Sequence, residues 1–257
     1  RVLVLDPGGG IGHDLDPSAL FEDAQLRAEL AAGGIWVPGY VPATDPVADA
    51  PGPVLLSAER LVAARGPHAP RTRPTDLALR AGQAVVIRGE NGAGKSTLAL
   101  TLGGLLEPAG GQVVVAAQLA DGLEGGPFSW KAGALVGRIG SVFQEPEHQF
   151  VTQSVREELA FAPLRARAGA SGDAKYDPDQ VEARVDELLE RLGLSDLAEA
   201  NPFTLSGGEK RRLSVATVLA ASPDVVILDE PTFGQDANTW RELAQLLIAE
   251  LNRNTAL

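Results

Sequence analysis

Cysteine and methionine are absent from the 257 residues, and histidine occurs three times. Without cysteine there is no disulfide framework, no thiol nucleophile and no thiolate metal site. His13, His68 and His148 are scattered without ligand spacing, so they read as solvated or structural side chains. No run approaches the roughly 18 apolar residues of a membrane span, so any membrane role would be peripheral. A net charge of −12 argues against a nucleic-acid-binding surface. Position 1 is also not methionine, and the expectation is an internal piece of a longer polypeptide.

The front of the chain is compositionally distinct. Residues 1–52 hold eight acids and two bases, a balance of −6, and the remaining 205 residues supply the other −6. Val2-Leu3-Val4-Leu5 is a short strand stopped by Asp6-Pro7 and three glycines. Asp16-Pro17 reads as an N-cap with proline at the first helical position. Leu20, Phe21, Ala24 and Leu30 give that helix an apolar face, and Gly33-Gly34 ends it. A strand and one helix cannot bury a core alone, so residues 1–40 need something to pack against. Residues 41–53 carry Pro42, Pro46, Pro51 and Pro53 without periodicity, a semi-extended linker.

From Val54 a compact domain is expected. Strand-like runs lie at 54–57, 84–88, 112–117, 138–143 and 225–228. Ser154 and Glu157 have capping-box spacing and open a helix through about Phe161. Asp177-Pro178 caps another, with Val181, Val185, Leu188, Leu189 and Leu192 on one face and Gly193 at its end. Ser206 and Glu209 repeat the box, and the last helix runs from Asp236 to about Leu251. The pattern predicts an α/β sheet with an all-helical insertion near 150–213 and a small flexible loop at 168–173.

The stretch Gly89-Glu90-Asn91-Gly92-Ala93-Gly94-Lys95-Ser96-Thr97 matches the phosphate-binding P-loop spacing. It follows the apolar run Ala84–Arg88, read as a buried strand, and precedes Leu98, Leu102, Leu105 and Leu106 at helical spacing. Glycines let backbone N–H groups turn toward phosphate oxygens, and a helix N-terminus favours an anion. Lys95 would reach the β- and γ-phosphates, and the Ser96 hydroxyl would ligate Mg²⁺. A plain glycine turn explains the glycines but not Lys95-Ser96-Thr97. The expected ligand is a nucleoside triphosphate.

Val225–Leu228 is an apolar strand ending in Asp229-Glu230. Asp229 at the P-loop edge would hold Mg²⁺, and Glu230 would polarise an attacking water as general base. A solvated acid pair at a strand end is the bland alternative.

Leu205-Ser206-Gly207-Gly208-Glu209, in order after the P-loop and before Asp229-Glu230, resembles the signature sequence of ATP-binding-cassette (ABC) ATPases. The resemblance covers nearly all of residues 54–257. It implies a P-loop ATPase core with a helical signature subdomain, ATP and Mg²⁺ as ligands, and two cassettes that sandwich two nucleotides. Gln144 looks like the family's Q-loop glutamine, which touches Mg²⁺ and water. Residues 231–236 resemble the D-loop, ending in Asp236, with Gln235 where leucine is more usual. The stretch 144–149 and the stretch 155–161 resemble the energy-coupling-factor type of importer ATPase. Residues 1–38 resemble the last strand and tail of such an ATPase, which implies a tandem parent whose second cassette is 54–257.

Two departures stand out. The chain stops before the position of the family's switch histidine, and no aromatic residue stands near 62–66 where the family stacks adenine, leaving the choice between ATP and GTP open. The resemblance implies a transport ATPase on the cytoplasmic face of the plasma membrane, with a second cassette and an integral membrane subunit as partners and no nucleic acid. Vitamins, metal ions and related nutrients are the cargo class. The alternative is a soluble ABC ATPase acting on ribosomes or DNA. Against it, only 110 residues lie between Lys95 and Ser206, without sustained heptads, and the linker 41–53 lacks lysine and arginine. A catalytically silent regulatory module is disfavoured by intact Lys95, Gln144, Asp229 and Glu230.

Overall fold

The computed structural model describes residues 1–5, 8–37, 39–46, 50–168 and 171–257, with the side chains of Leu20 and Phe21 left aside. The expected strand stop at Asp6-Pro7, Pro38, part of the linker and the tip of the 168–173 loop lie outside those residues. So does the contribution of Leu20 and Phe21 to the first apolar face.

At the front, β1 (Val2–Leu5) pairs antiparallel with β2 (Ile11–Leu15). The expected single helix is two, α1 (Pro17–Glu22) and α2 (Ala24–Ala32). Asp16 caps the first as expected. The break comes from Asp23, whose carboxylate accepts from Gln25 N at 2.9 Å and Leu26 N at 3.0 Å. Its side chain offers those amides an alternative to the helical ladder. Val4, Leu30, Ala31 and Val37 bury together. Downstream, the linker runs without regular structure in its described residues and is tied at Asn252 Nδ2 to Pro46 O (3.4 Å) and at Gly52 N to Ala81 O (2.7 Å).

The domain proper opens with β3 (Val54–Val62), longer than its sequence pattern, and β4 (Thr75–Arg80), which the pattern missed. α3 (Lys95–Leu102) follows the P-loop and stops at Gly103, short of Leu105 and Leu106. β5 (Gly110–Val115) pairs with β3 opposite β4, giving an antiparallel order β4-β3-β5. α4 (Ala117–Ala120), α5 (Ala132–Val136) and β6 (Ile139–Val142) lead into the insertion. There α6 (Val155–Arg165) and α7 (Pro178–Arg191) flank a small hairpin, β7 (Arg167–Ala168) with β8 (Asp173–Ala174). The insertion is thus helical but for that hairpin, which closes the loop at 168–173. α8 (Gly207–Ala220), β9 (Val225–Leu228) and α9 (Ala237–Leu251) complete the fold, with β6 parallel to β9. Among the described residues no helix is long and apolar enough to cross a membrane.

The stretch Ala84–Arg88 departs from expectation: it is neither a ladder strand nor buried. Residues 255–257 lie between it and β9, through Val226 N to Ala256 O and Ala256 N to Asp224 O, both 2.8 Å. Leu257 N donates to Gln83 O (2.9 Å), and Leu257 O accepts from Val85 N (2.8 Å). Val86 and Ile87 are 73% and 39% exposed. An apolar cavity of about 370 Å³ lies under the stretch, lined by Leu77, Val85, Leu102 and Val226 among others.

Candidate functional site

The P-loop delivers a cradle all the same. Gly92 (φ +81) and Gly94 (φ +94) hold left-handed turns that a side chain would strain. A Cβ at Gly94 would lie 2.7 Å from Thr72 Cγ2, because the loop is seated on the segment 63–72. That segment is closed by Thr72 N to Ala63 O and Ala63 N to Thr72 Oγ1, both 2.9 Å. Lys95 caps its own loop: its ammonium donates to Gly89 O (2.9 Å) and Glu90 O (3.0 Å). The Lys95 charge is thus held in place by two carbonyls.

A cleft of about 680 Å³ gathers Asn91, Gly92, Ala93, Gly94, Lys95, Ser96 and Thr97 with Gln144, Asp229 and Glu230. Gly89 lies outside the lining. Its far wall is Arg65, Ala69, Pro70, Arg71 and Thr72, which sequence reasoning missed. The ring closure between Ala63 and Thr72 that presents them leaves no periodic trace. Phe233 also faces the cleft.

β9 carries the acids to this edge, where Asp229 N donates to Val142 O at 3.1 Å. Glu230 adopts φ +51, rare for a residue with a side chain. Among the described residues no group of three or more His, Cys, Asp or Glu could hold a metal by itself. Ser96, Gln144 and Asp229 fit a hard cation that takes its remaining oxygens from water and a bound phosphate.

Leu205, Ser206, Gly207, Gly208 and Glu209 are not in the cleft. They lead into and open α8, with the full capping box: Ser206 Oγ accepts from Glu209 N (3.4 Å) and Glu209 Oε2 from Ser206 N (2.7 Å). The Ser206 side chain and amide hold the Glu209 carboxylate below its ordinary pKa. A Cβ at Gly207 would meet open space. This turn therefore offers its backbone outward rather than to the chain's own P-loop.

Two part-buried links join α8 to the segment Phe143-Gln144, and neither was foreseen. Arg211 donates to Phe143 O (2.9 Å) and Gln144 O (2.6 Å). Burial lowers its pKa, against the raising pull of Glu145, Glu230 and Asp229. Gln149 accepts from Phe143 N (2.9 Å) and donates to Ser214 O (3.2 Å). The signal for Arg211 was a charge one turn before Val215 on the buried side of a helix, where it needs partners.

Asp236 caps α9, accepting from Asn238 N (2.9 Å), Thr239 N (3.0 Å) and Thr239 Oγ1 (2.6 Å). Burial raises its pKa, but those bonds outweigh it and the net shift is downward. A groove of about 320 Å³ runs between α5 and α6, lined by Leu105, Leu135, Phe143, His148 and Phe161 among others.

The family model for ABC transporters matches residues 72–233. The energy-coupling factor transporter ATP-binding protein EcfA of Methanothermobacter thermautotrophicus is 37% identical over 184 residues, 72% of this chain and 55% of that protein. Its namesake in Methanosphaera stadtmanae is 36% identical over 181 residues, 69% of this chain and 59% of that protein. The chain thus spans little more than half the length of these relatives. Among solved structures, cbiO1 of Clostridium perfringens, part of the ABC transporter complex cbiONQ, aligns at TM-score 0.59 and 29% identity over 79% of this chain and 75% of that one. A dimeric ATP-binding cassette in a post-hydrolysis state with ADP and Pi aligns at TM-score 0.64 and 22% identity, over 78% of this chain and 84% of that one, a likeness of fold. With the family model spanning well over half of the sequence and the P-loop, acid pair and outward-facing signature turn arranged as described, the chain belongs to the ABC transporter family, as an ATP-binding domain.

Proposed function

We propose that this chain binds and hydrolyses Mg-ATP to power a membrane transporter of the energy-coupling-factor type that imports a vitamin, metal ion or related nutrient. The observation that carries the reading is the cleft uniting Lys95, Ser96, Gln144, Asp229 and Glu230 while the signature turn faces elsewhere. The backbone of Gly89, Asn91, Gly92, Ala93 and Gly94 cradles the phosphates, with Lys95 on the β- and γ-groups and Thr97 in the first helical turn. Ser96, Asp229 and Gln144 hold Mg²⁺, which supplies charge neutralisation along the phosphates. Glu230 takes the proton of the attacking water, and Gln144 helps to orient that water.

Residues 205–209 and Asp236 act on the nucleotide of an opposing cassette, because an outward helix N-terminus has no phosphate of its own. Residues 1–40 are the tail of a preceding cassette, 41–53 the linker and 54–257 the second cassette. The α5–α6 groove receives an integral membrane subunit, so the chain works peripherally at the cytoplasmic face. The names of EcfA and cbiO1 support the transport reading.

Calorimetry of ATP binding with Mg²⁺, wild type against Lys95→Ala and with GTP as competitor, tests the site. Affinity should fall at least about tenfold in the variant, the scale of one charge-assisted contact. Equal affinity would remove Lys95 from the site and the reading with it.

A further inference from the structure

Between Glu230 and Asp236 the backbone makes two consecutive tight turns. Phe233 N donates to Glu230 O at 3.2 Å and Gln235 N to Thr232 O at 3.3 Å. At the near end is Glu230 in its left-handed conformation, which persists only where the surroundings hold it. The far end is gripped from outside by the front segment. Trp36 Nε1 donates to Gln235 O (2.8 Å), Ala237 N to Gly34 O (2.8 Å), and Asn238 Nδ2 to Ala32 O (3.2 Å). Trp36 also meets Trp240 edge-on, with ring centroids 5.9 Å apart and planes at 79°. The approach is close: a Cβ at Gly34 (φ +84) would lie 3.0 Å from both Asp236 Oδ1 and Asn238 Nδ2.

We propose that Trp36 is a positioning residue for Glu230: by holding the Gln235 carbonyl, it fixes the far end of the short turn that aims the Glu230 carboxylate into the cleft. The inference rests on the reading of Glu230 as the base. Trp36 does not line the cleft, so its effect passes along residues 231–235. Residues 32, 34 and 36 meet residues 238, 237 and 235 in order, a docked edge of three bonds rather than one chance contact. The hold reaches inward too. The Gln235 side chain is buried, its Oε1 lacks a partner among the described residues, and a Cβ at Gly208 would sit 3.6 Å from that oxygen. A shift of Gln235 would therefore disturb the first turn of α8 as well as Glu230. Nothing in the fold of residues 1–40 requires an indole N–H there. A phenylalanine would keep an aromatic edge toward Trp240, smaller than the indole.

Steady-state ATP hydrolysis by the assembled ATPase tests this with Trp36→Phe, Trp240→Phe and Glu230→Gln. Trp36→Phe removes the N–H and trims the ring, and should lower kcat about fivefold, the scale of one neutral hydrogen bond, with KM for ATP within about twofold of wild type. Trp240→Phe trims the same ring pair without touching the hydrogen bond, and should keep kcat while losing similar thermal stability. Equal kcat losses in the two variants, a Trp36→Phe rate within about twofold of wild type, or a loss carried by KM would each overturn the inference. A Glu230→Gln enzyme that still turns over would remove the base and this inference together. Abolished turnover there with an unchanged Trp36→Phe rate would remove this inference alone.

Discussion

Arg211, on the second turn of α8, holds the backbone carbonyl of Gln144 at 2.6 Å and that of Phe143 at 2.9 Å. The signature turn begins the same helix, so Gln144 and the signature share one rigid connection. Gln149 makes a second tie from the same segment to the same helix. The segment carrying Gln144 is thereby tied to α8 by hydrogen bonds from two side chains, Arg211 and Gln149.

Replacing Arg211 with methionine keeps the stem and leaves two carbonyls without their donor. Unfolding free energy from urea titration should fall by about 3 kcal/mol. Arg211→Lys should recover part of this, since an ammonium cannot span both carbonyls as a planar fork does. Full stability in Arg211→Met would mean that the two bonds contribute nothing.

Glu230→Gln should preserve ATP affinity and reduce turnover by about 10²-fold or more, the range of a positioned general base. Affinity by calorimetry and rate by phosphate release separate the two effects. Retention of more than about half the rate would end the assignment.

Asp236 and Glu209 both titrate below their ordinary carboxylate values. A carboxylate depressed on folding stabilises the protein above its unfolded pKa, near pH 4, and loses that contribution as pH falls through the folded value. Asp236→Asn should therefore narrow the difference in thermal midpoint between pH 6 and pH 3 relative to wild type. An unchanged difference would mean that the cap does not titrate with folding.

Phe161 lines the α5–α6 groove and carries the Arg165 guanidinium 3.6 Å above its ring. Phe161→Asp should leave ATP affinity intact while abolishing co-purification of the membrane subunit and transport. Intact transport would move the docking surface elsewhere.

Local chemistry was legible in the sequence wherever a few neighbouring residues decide it. The caps at Asp16, Asp177, Ser206 and Asp236 stand where spacing put them, because each is a bond between residues two or three apart. Spacing likewise singled out Lys95 and Asp229, which the fold brings to one cleft, since a glycine-rich loop and a strand-end acid are short-range patterns. What escaped was set by distant partners. Ala84–Arg88 has strand composition, but among the described residues its backbone tie to the neighbouring segment is the bond from Val85 N to Leu257 O. Arg65 and Thr72 reach the cleft through a loop closure that no periodicity encodes. Trp36 and Arg211 gain their meaning from residues some 200 and 67 positions away. Asp23 was legible in principle, as a capping residue inside an apolar pattern, and was overlooked in favour of the longer helix.

The bond from Ala237 to Gly34 joins residues 203 positions apart. On a ribosome adding about 5–20 residues per second, Gly34 and Trp36 leave the tunnel roughly 10–40 s before their partners exist. For that interval the front segment is an unclaimed edge beside exposed Leu3, Leu5 and Ile11. The clasp around residues 235–238 consequently closes late relative to the synthesis of the front segment, only after residue 238 has left the tunnel.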